Sequence, residues 1–170
     1  MEQGLQATET IGVKMYASHF LARLAEAHAF LGQVEESRRF LDRAVELMEA
    51  TMEHVWEAEI YRLQGQLALI EAGIEGSSNA SKQRVVRTDS KLREAESLAE
   101  TCFRRAIDVA RHQGARSLEL RAATSLARLW HRQGRRADAR GLLEPVHAWF
   151  TEGFDTADLS EAGQLAKTLA

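Results

Sequence analysis

The stretch ARSLELRAATSLARLWHRQGRRADARGLLEPVHAW, residues 115–149, decides the fold. Apolar residues recur in it at three- and four-residue spacing on either side of Gln133-Gly134, which predicts two amphipathic helices joined by a short turn. The same pattern occurs earlier in the chain, displaced by 40 residues, or by 62 wherever residues 74–93 are crossed. A fixed period in this range is typical of helical repeat arrays. We therefore predict an all-α fold, an α-solenoid of helix-turn-helix repeats with a period of about 40 residues.

This period predicts a single domain that spans residues 1–170. Its expected parts are repeat 1 at about 18–51, repeat 2 at about 53–113 with an insertion at 74–93, repeat 3 at about 115–151, and a capping helix at 156–169. The last helix carries one narrow apolar stripe, which suits the end of an array. Asp155 is expected to cap it, because an aspartate before a helix can accept hydrogen bonds from free backbone amides.

The composition favours helices and excludes several classes of protein. One proline in 170 residues, with abundant Ala, Leu, Glu and Arg, favours an all-helical chain. The single cysteine, Cys102, excludes an intramolecular disulfide and fits a reducing cytosol. No run approaches the roughly 18 apolar residues of a membrane span, and the first ten residues lack the basic and apolar parts of a signal peptide. We expect a cytoplasmic protein that does not bind membranes.

Charge is distributed unevenly along the chain. Residues 1–81 hold 6 Lys/Arg against 13 Asp/Glu, residues 82–142 hold 15 against 7, and residues 143–170 hold 1 against 5. One interpretation is that these segments neutralise each other along the array or in an oligomer. The alternative is that the basic segment 82–142 binds nucleic acid or serves oligomerisation. Nucleic acid is the less favoured partner, because the segment lacks a base-reading motif and has few aromatic residues for stacking.

Nothing in the sequence indicates catalysis. Glycine-rich phosphate-binding loops are absent, since Gly73 and Gly76 are not followed by the Lys-Ser/Thr pair that such loops require. The six histidines show no metal-ligand spacing with each other or with Cys102. Cys102 lies beside Phe103 on a predicted packed helix and is interpreted as a small buried residue. We therefore predict no enzyme activity, no metal and no cofactor.

A ladder of small and large residues accompanies the repeat. Each copy places a small residue in the middle of its first helix and a bulky residue between two smaller ones in its second. The first set is Ala25, Gly65 and Ala127, the bulky set is Leu41, Phe103 and Leu143, and the flanking pairs are Ser37/Ala44, Ala99/Ala106 and Ala139/Val146. This ladder resembles the tetratricopeptide repeat. The chain departs from that family in its longer period and in Val146, where a small residue is usual.

Three segments of the sequence indicate a particular subfamily of these repeats. VWEAEIYRLQG (55–65), CFRRAIDVARHQGARSLELRAATSLARLW (102–130) and WFTEGFDTADL (149–159) are similar to a bacterial subfamily. In it, such repeats form the C-terminal region of large proteins that join a nucleotide cyclase or DNA-binding domain to an ATPase module. The resemblance implies a scaffold in a bacterial signalling or regulatory system. It implies no catalytic part within this chain.

A protein-interaction module follows as the first functional hypothesis. By the repeat register, the first helices should line a concave groove that binds a protein or peptide. The predicted groove residues are Arg62, Gln66, Arg121, Thr124, Arg128 and His131, with His19, Glu26 and Glu59 on the same surface. Arginine pairs with a carboxylate through two parallel hydrogen bonds, so an acidic ligand is predicted. The competing interpretation is that these arginines pair with Glu59 or Glu119 of the chain itself. A homo-oligomer also remains open.

Overall fold

The computed structural model describes residues 16–74 and 89–170, and within them every regular element is an α-helix. The helices are α1 (Ala17–Phe30), α2 (Val34–Thr51), α3 (Glu57–Glu71), α4 (Asp89–Gln113), α5 (Arg116–Arg132), α6 (Arg136–Ala148) and α7 (Ala157–Leu169). The all-α prediction is therefore confirmed. The turn predicted at Gln133-Gly134 separates α5 from α6, and Gly134 takes a positive φ of 78°, which glycine adopts at no steric cost.

The helices pack in a regular order. Each helix packs against the next one in the chain, and α1, α3, α5 and α7 also pack in sequence against one another. Among the described residues, the even-numbered helices make no such contact with each other. The odd-numbered helices therefore form one layer and the even-numbered helices a second. Two layers around a shared apolar interior are a common way for amphipathic helices to bury their apolar stripes.

The interior consists mainly of two apolar clusters that meet along α3. The first joins α1 and α2 to Ile60, Leu63 and Leu67 of α3. The second and larger one begins at Leu69 and continues through α4 to α7. All of the small and large ladder residues are buried, including the bulky Leu41, Phe103 and Leu143. The ladder thus marks the packed side of each helix.

Gly65 lies where α3 meets α4. A Cβ atom built on Gly65 would lie 2.7 Å from Cε1 of Phe103 and 3.1 Å from the backbone oxygen of Ala99. Neither distance leaves room for a methyl group. Helices α3 and α4 therefore lie close together at this glycine, and Phe103 fills the space that a side chain would need.

Two predicted boundaries differ from the structure. Helix α3 begins at Glu57, later than the predicted 53, because Met52 ends α2 in the left-handed region with φ of 55° and residues 53–56 form a connection. Residues 89–93, assigned to the insertion, form the first turn of α4. The remainder of the insertion, 75–88, lies outside the described residues.

The capping prediction at Asp155 is wrong. Thr156 is the residue before α7, with an extended backbone, and its hydroxyl donates to the Gly153 carbonyl without capping the helix. Asp155 is exposed within the turn that precedes it. The other end of α7 is held by Arg136, whose guanidinium donates to the backbone oxygens of Thr168 and Leu169 at 2.6 and 3.0 Å.

None of the helices in the described residues combines the length and apolar character that crossing a bilayer would require.

Candidate functional site: the charged face of the odd-numbered helices

Charged side chains from all four odd-numbered helices meet on one face of the molecule. We call this group the charge network; its members are Arg23 and Glu26 of α1, Glu59 and Arg62 of α3, Arg121 of α5 and Asp158 of α7. It carries three arginines and three carboxylates and is therefore formally neutral. The network lies where the sequence predicts a binding groove, so each predicted residue can be assessed in turn.

Arg62 is buried within the network, with 6% of its surface exposed. Its Nε and Nη2 atoms donate to the two carboxylate oxygens of Glu59, both at 2.9 Å. Nη2 also donates to Glu26 and Nη1 to Gln66, again at 2.9 Å. Burial alone would lower the pKa of Arg62, but the hydrogen bonds and charges of Glu59 and Glu26 raise it above its ordinary value. Arg62 therefore joins α3 to α1 and has little capacity left for a ligand.

Arg121 links three helices to α5. Its Nη2 atom lies 3.0 Å from Glu59 and 3.3 Å from Glu26, and its Nε atom lies 3.8 Å from Asp158. Its side chain keeps 24% of its surface exposed, and that of Asp158 keeps 46%. The Arg121–Asp158 pair is thus the accessible edge of the network, where a carboxylate from outside could reach the guanidinium.

Arg128 lies two turns after Arg121 on α5 and pairs with Glu161 of α7. Both side chains are substantially exposed, at 35% and 55%. His131 is half-buried one turn further along α5. Thr124 differs from the predicted arrangement, because it is buried and its hydroxyl donates at 2.8 Å to the Leu120 carbonyl of its own helix. Thr124 therefore has no free hydroxyl to offer a ligand.

Sequence reasoning missed the contribution of α7. Asp158 and Glu161 pair with the two arginines that were predicted to bind an acidic ligand. The sequence did indicate this contribution. Adding the 40-residue period to position 121 leads to Glu161, so the repeat register places a carboxylate of α7 at the position that corresponds to Arg121. The last helix was interpreted only as a cap, and its carboxylates were not placed on the face.

His19 lies beside the network on α1. Its ring stacks on Trp56 with a centroid distance of 3.8 Å, and its buried Nδ1 atom has no hydrogen-bond partner among the described residues. Burial lowers the pKa of His19, the Arg23 charge acts in the same direction, and Glu59 opposes them without reversing the shift. The imidazole is therefore held neutral near physiological pH.

Arginines of the basic segment are also paired away from this face. Glu119 contacts Arg111 and Arg116, both at 2.7 Å. Glu100 accepts hydrogen bonds from Arg104 and Arg135. These two carboxylates belong to the basic segment 82–142 itself, whereas Arg121 and Arg128 pair with carboxylates of the acidic segments, at Glu26, Glu59, Asp158 and Glu161.

The described residues contain no group of three or more His, Cys, Asp or Glu side chains placed to hold a metal ion. Burial raises the pKa of the Cys102 thiol, which disfavours the reactive thiolate. A cleft between α1, α2 and α3, lined in part by Glu26, Ser37 and Gln66, is small, with an accessible volume of about 10 Å³. This is far below the roughly 300–1,000 Å³ typical of small-molecule sites.

Comparison with known proteins adds no relationship to this geometry, since no protein-family model matches the chain and no curated protein matches it.

Proposed function

We propose that the chain is a non-catalytic scaffold that binds a protein or peptide segment on the charged face. In this proposal the helices form a tetratricopeptide-like α-solenoid, with α1–α2, α3–α4 and α5–α6 as its repeats and α7 as the closing helix. Two observations support it: the ladder residues of all three pairs are buried, and the odd-numbered helices pack in sequence. Such an array presents one continuous surface built from successive first helices.

The observation that carries the binding proposal is the pair of exposed contacts between α5 and α7. Arg121 and Arg128 are held by Asp158 and Glu161, whose side chains are 46% and 55% exposed. Ion pairs this open contribute only about 0–1 kcal/mol to stability. A ligand carboxylate can therefore replace either acidic side chain at small cost. This exchange favours an acidic segment as the ligand, with Arg121, Arg128 and His131 as its contacts and Arg62 as their support.

The resemblance to bacterial regulatory proteins gives the proposal its setting, a cytoplasmic signalling or regulatory assembly. Nucleic-acid binding is the second candidate. It is less favoured because Arg111, Arg116, Arg121 and Arg128 are each paired with a carboxylate of the chain. Paired arginines contribute less to the attraction of a polyanion than free ones do.

The test measures the affinity of a fluorescent acidic peptide library for the wild type and three variants. Arg128→Ala should weaken binding about tenfold or more, which corresponds to roughly 1.4 kcal/mol. Glu161→Gln should strengthen binding, because it removes the carboxylate that competes for Arg128. Arg140→Ala is the matched control, since Arg140 forms a comparable exposed pair with Glu144 on α6, away from the charged face.

Equal binding by all four proteins would contradict the proposed site. Binding of a DNA duplex that falls steeply as salt is raised would favour the nucleic-acid alternative instead.

A further inference from the structure

One side of α1 carries a continuous stripe of exposed apolar residues. We call it the α1 stripe; it consists of Tyr16, Phe20, Ala27, Phe30 and Leu31. The four large residues keep 48%, 43%, 77% and 66% of their surfaces exposed. The spacing of seven and three places Phe20, Ala27 and Phe30 on one face of the helix, and Tyr16 and Leu31 flank its two ends. Within the described residues α1 packs only against α2 and α3, and the four large stripe residues remain exposed beside these contacts.

The repeat register shows that this face is normally covered. Phe20 corresponds to Ile60 of α3 and Ala122 of α5, which are 1% and 0% exposed. Ala27 corresponds to Leu67 and Leu129, which are 7% and 0% exposed. In α3 and α5 the preceding helix pair covers these positions. The α1 stripe therefore has the composition of a packing surface, although none of the described helices covers it.

We propose that a second copy of the chain covers the α1 stripe, with the two α1 helices packed antiparallel about a twofold axis. Four of the five stripe residues pair with one another about the midpoint between Arg23 and Leu24, and Phe30 falls opposite Ala17. An antiparallel partner centred there places Phe20 against Ala27 and Tyr16 against Leu31, and the same contacts recur on the other side of the axis. A twofold interface requires this reciprocity, in which residue i meets j and j meets i. Large residues then meet small or terminal ones, and the rings do not collide.

Charge supports the same arrangement. Arg23 is the one charged residue within the stripe, and it pairs with Glu26 of its own helix at the edge of the charged face. In the antiparallel pair, Glu26 of the second copy is offset from Arg23 by only about 3 Å along the helix axis. The two arginines at the axis are thus flanked by two carboxylates, so their repulsion is offset.

The exposed area is sufficient for a weak dimer. With about 200 Å² for each aromatic side chain, the exposed parts of Tyr16, Phe20 and Phe30 offer about 340 Å² per copy. Leu31 and the neighbouring backbone bring the total for both copies close to the roughly 1,000 Å² that a specific interface needs. We therefore expect a dimer that forms reversibly with rising protein concentration.

Sedimentation equilibrium of the whole chain tests this proposal. The wild type should shift from 19.0 kDa towards twice that mass between about 1 and 500 µM. Phe20→Glu should remain a monomer throughout this range. Leu98→Glu introduces the same charge at a site on α4 with 55% exposure, and it should dimerise as the wild type does. Circular dichroism checks that each variant stays helical. A monomeric wild type, or a dimer unaffected by Phe20→Glu, would overturn the proposal.

Disulfide trapping tests the register. In a Cys102→Ser background, a mixture of Phe20→Cys and Ala27→Cys proteins should form a cross-linked heterodimer. Phe20→Cys alone should cross-link far less, because its two copies lie about 10 Å apart along the axis, beyond the roughly 7 Å limit between Cα atoms. Equal cross-linking in both samples would refute the antiparallel arrangement. The experiment uses no groove ligand, so its outcome is independent of the binding proposal.

Discussion

Replacing Gly65 with alanine has two opposite effects on the stability of the protein, and the structure indicates which of them is larger. In the middle of an exposed helix, alanine stabilises by about 1 kcal/mol relative to glycine. At Gly65, however, the new methyl group would lie 2.7 and 2.9 Å from two ring carbons of Phe103 and 3.1 Å from the Ala99 carbonyl oxygen. Phe103 is 1% exposed within the larger apolar cluster, and Ala99 contributes backbone. Neither neighbour can move without disturbing the packing around it.

Overpacking of this kind costs about 1–3 kcal/mol. After the helical gain is subtracted, Gly65→Ala should lower the free energy of unfolding by about 1 kcal/mol, or by up to 2 kcal/mol if the ring cannot shift. For a chain of this length, that corresponds to a fall of about 2–8 °C in the melting midpoint. The melting midpoint of Gly65→Leu should fall further, because leucine introduces a larger side chain into the same space.

Thermal and urea melts followed by helical circular dichroism measure the change. Gly141→Ala is the matched control, because Gly141 lies inside α6 with nothing within 4 Å of a built Cβ atom. The same substitution there should raise stability by about 0.5–1 kcal/mol. The two variants should therefore shift in opposite directions. If Gly65→Ala stabilised the protein as Gly141→Ala does, the close contact between α3 and α4 would be refuted.

Two further predictions concern charge. The unfolded chain protonates His19 at pKa 6.5 and the folded one only at lower pH, so the free energy of unfolding should fall as the pH drops through this interval. Urea melts at several pH values measure this dependence of stability on pH. His19→Phe should reduce it, whereas His112→Phe, at an exposed position, is the control. An identical dependence for His19→Phe and the wild type would exclude His19 as its source. Glu59→Gln should lower the free energy of unfolding by about 3–5 kcal/mol, because it removes the main charged partner of buried Arg62. The exposed Glu36→Gln should change the melting midpoint little, and equal midpoints would show that the network adds nothing.

The all-helical class and the buried positions of the helices could be predicted from the sequence because both depend on periodicity. Shifts of 40 and 62 residues aligned Ala25, Gly65 and Ala127, and all three are buried. The ends of the helices could not be predicted in this way, because they depend on local backbone geometry, about which periodicity carries no information. A left-handed Met52 delays the start of α3, and Thr156, in place of Asp155, precedes α7.

The candidate site was predicted less completely. The register placed Arg62, Arg121 and Arg128 on neighbouring first helices, and Arg62 and Arg121 do meet at Glu59. It could not show that Arg62 would be enclosed, because that depends on how closely α1 approaches α3. The carboxylates of Asp158 and Glu161 also come from a helix interpreted only as a cap. Burial and long-range pairing depend on distances between helices, which one-dimensional spacing does not supply.

The meeting of two apolar clusters along α3 bears on how the molecule comes apart. The smaller cluster holds α1 and α2 through Ile60, Leu63 and Leu67, whereas the larger extends over four further helices. Local opening is least costly where the fewest buried contacts are lost. We expect transient fraying of the first helix pair, with its backbone amides exchanging with solvent before those of α5. A dimer formed through α1 would bind only the closed form, so rising concentration would protect the end of the molecule that opens most easily.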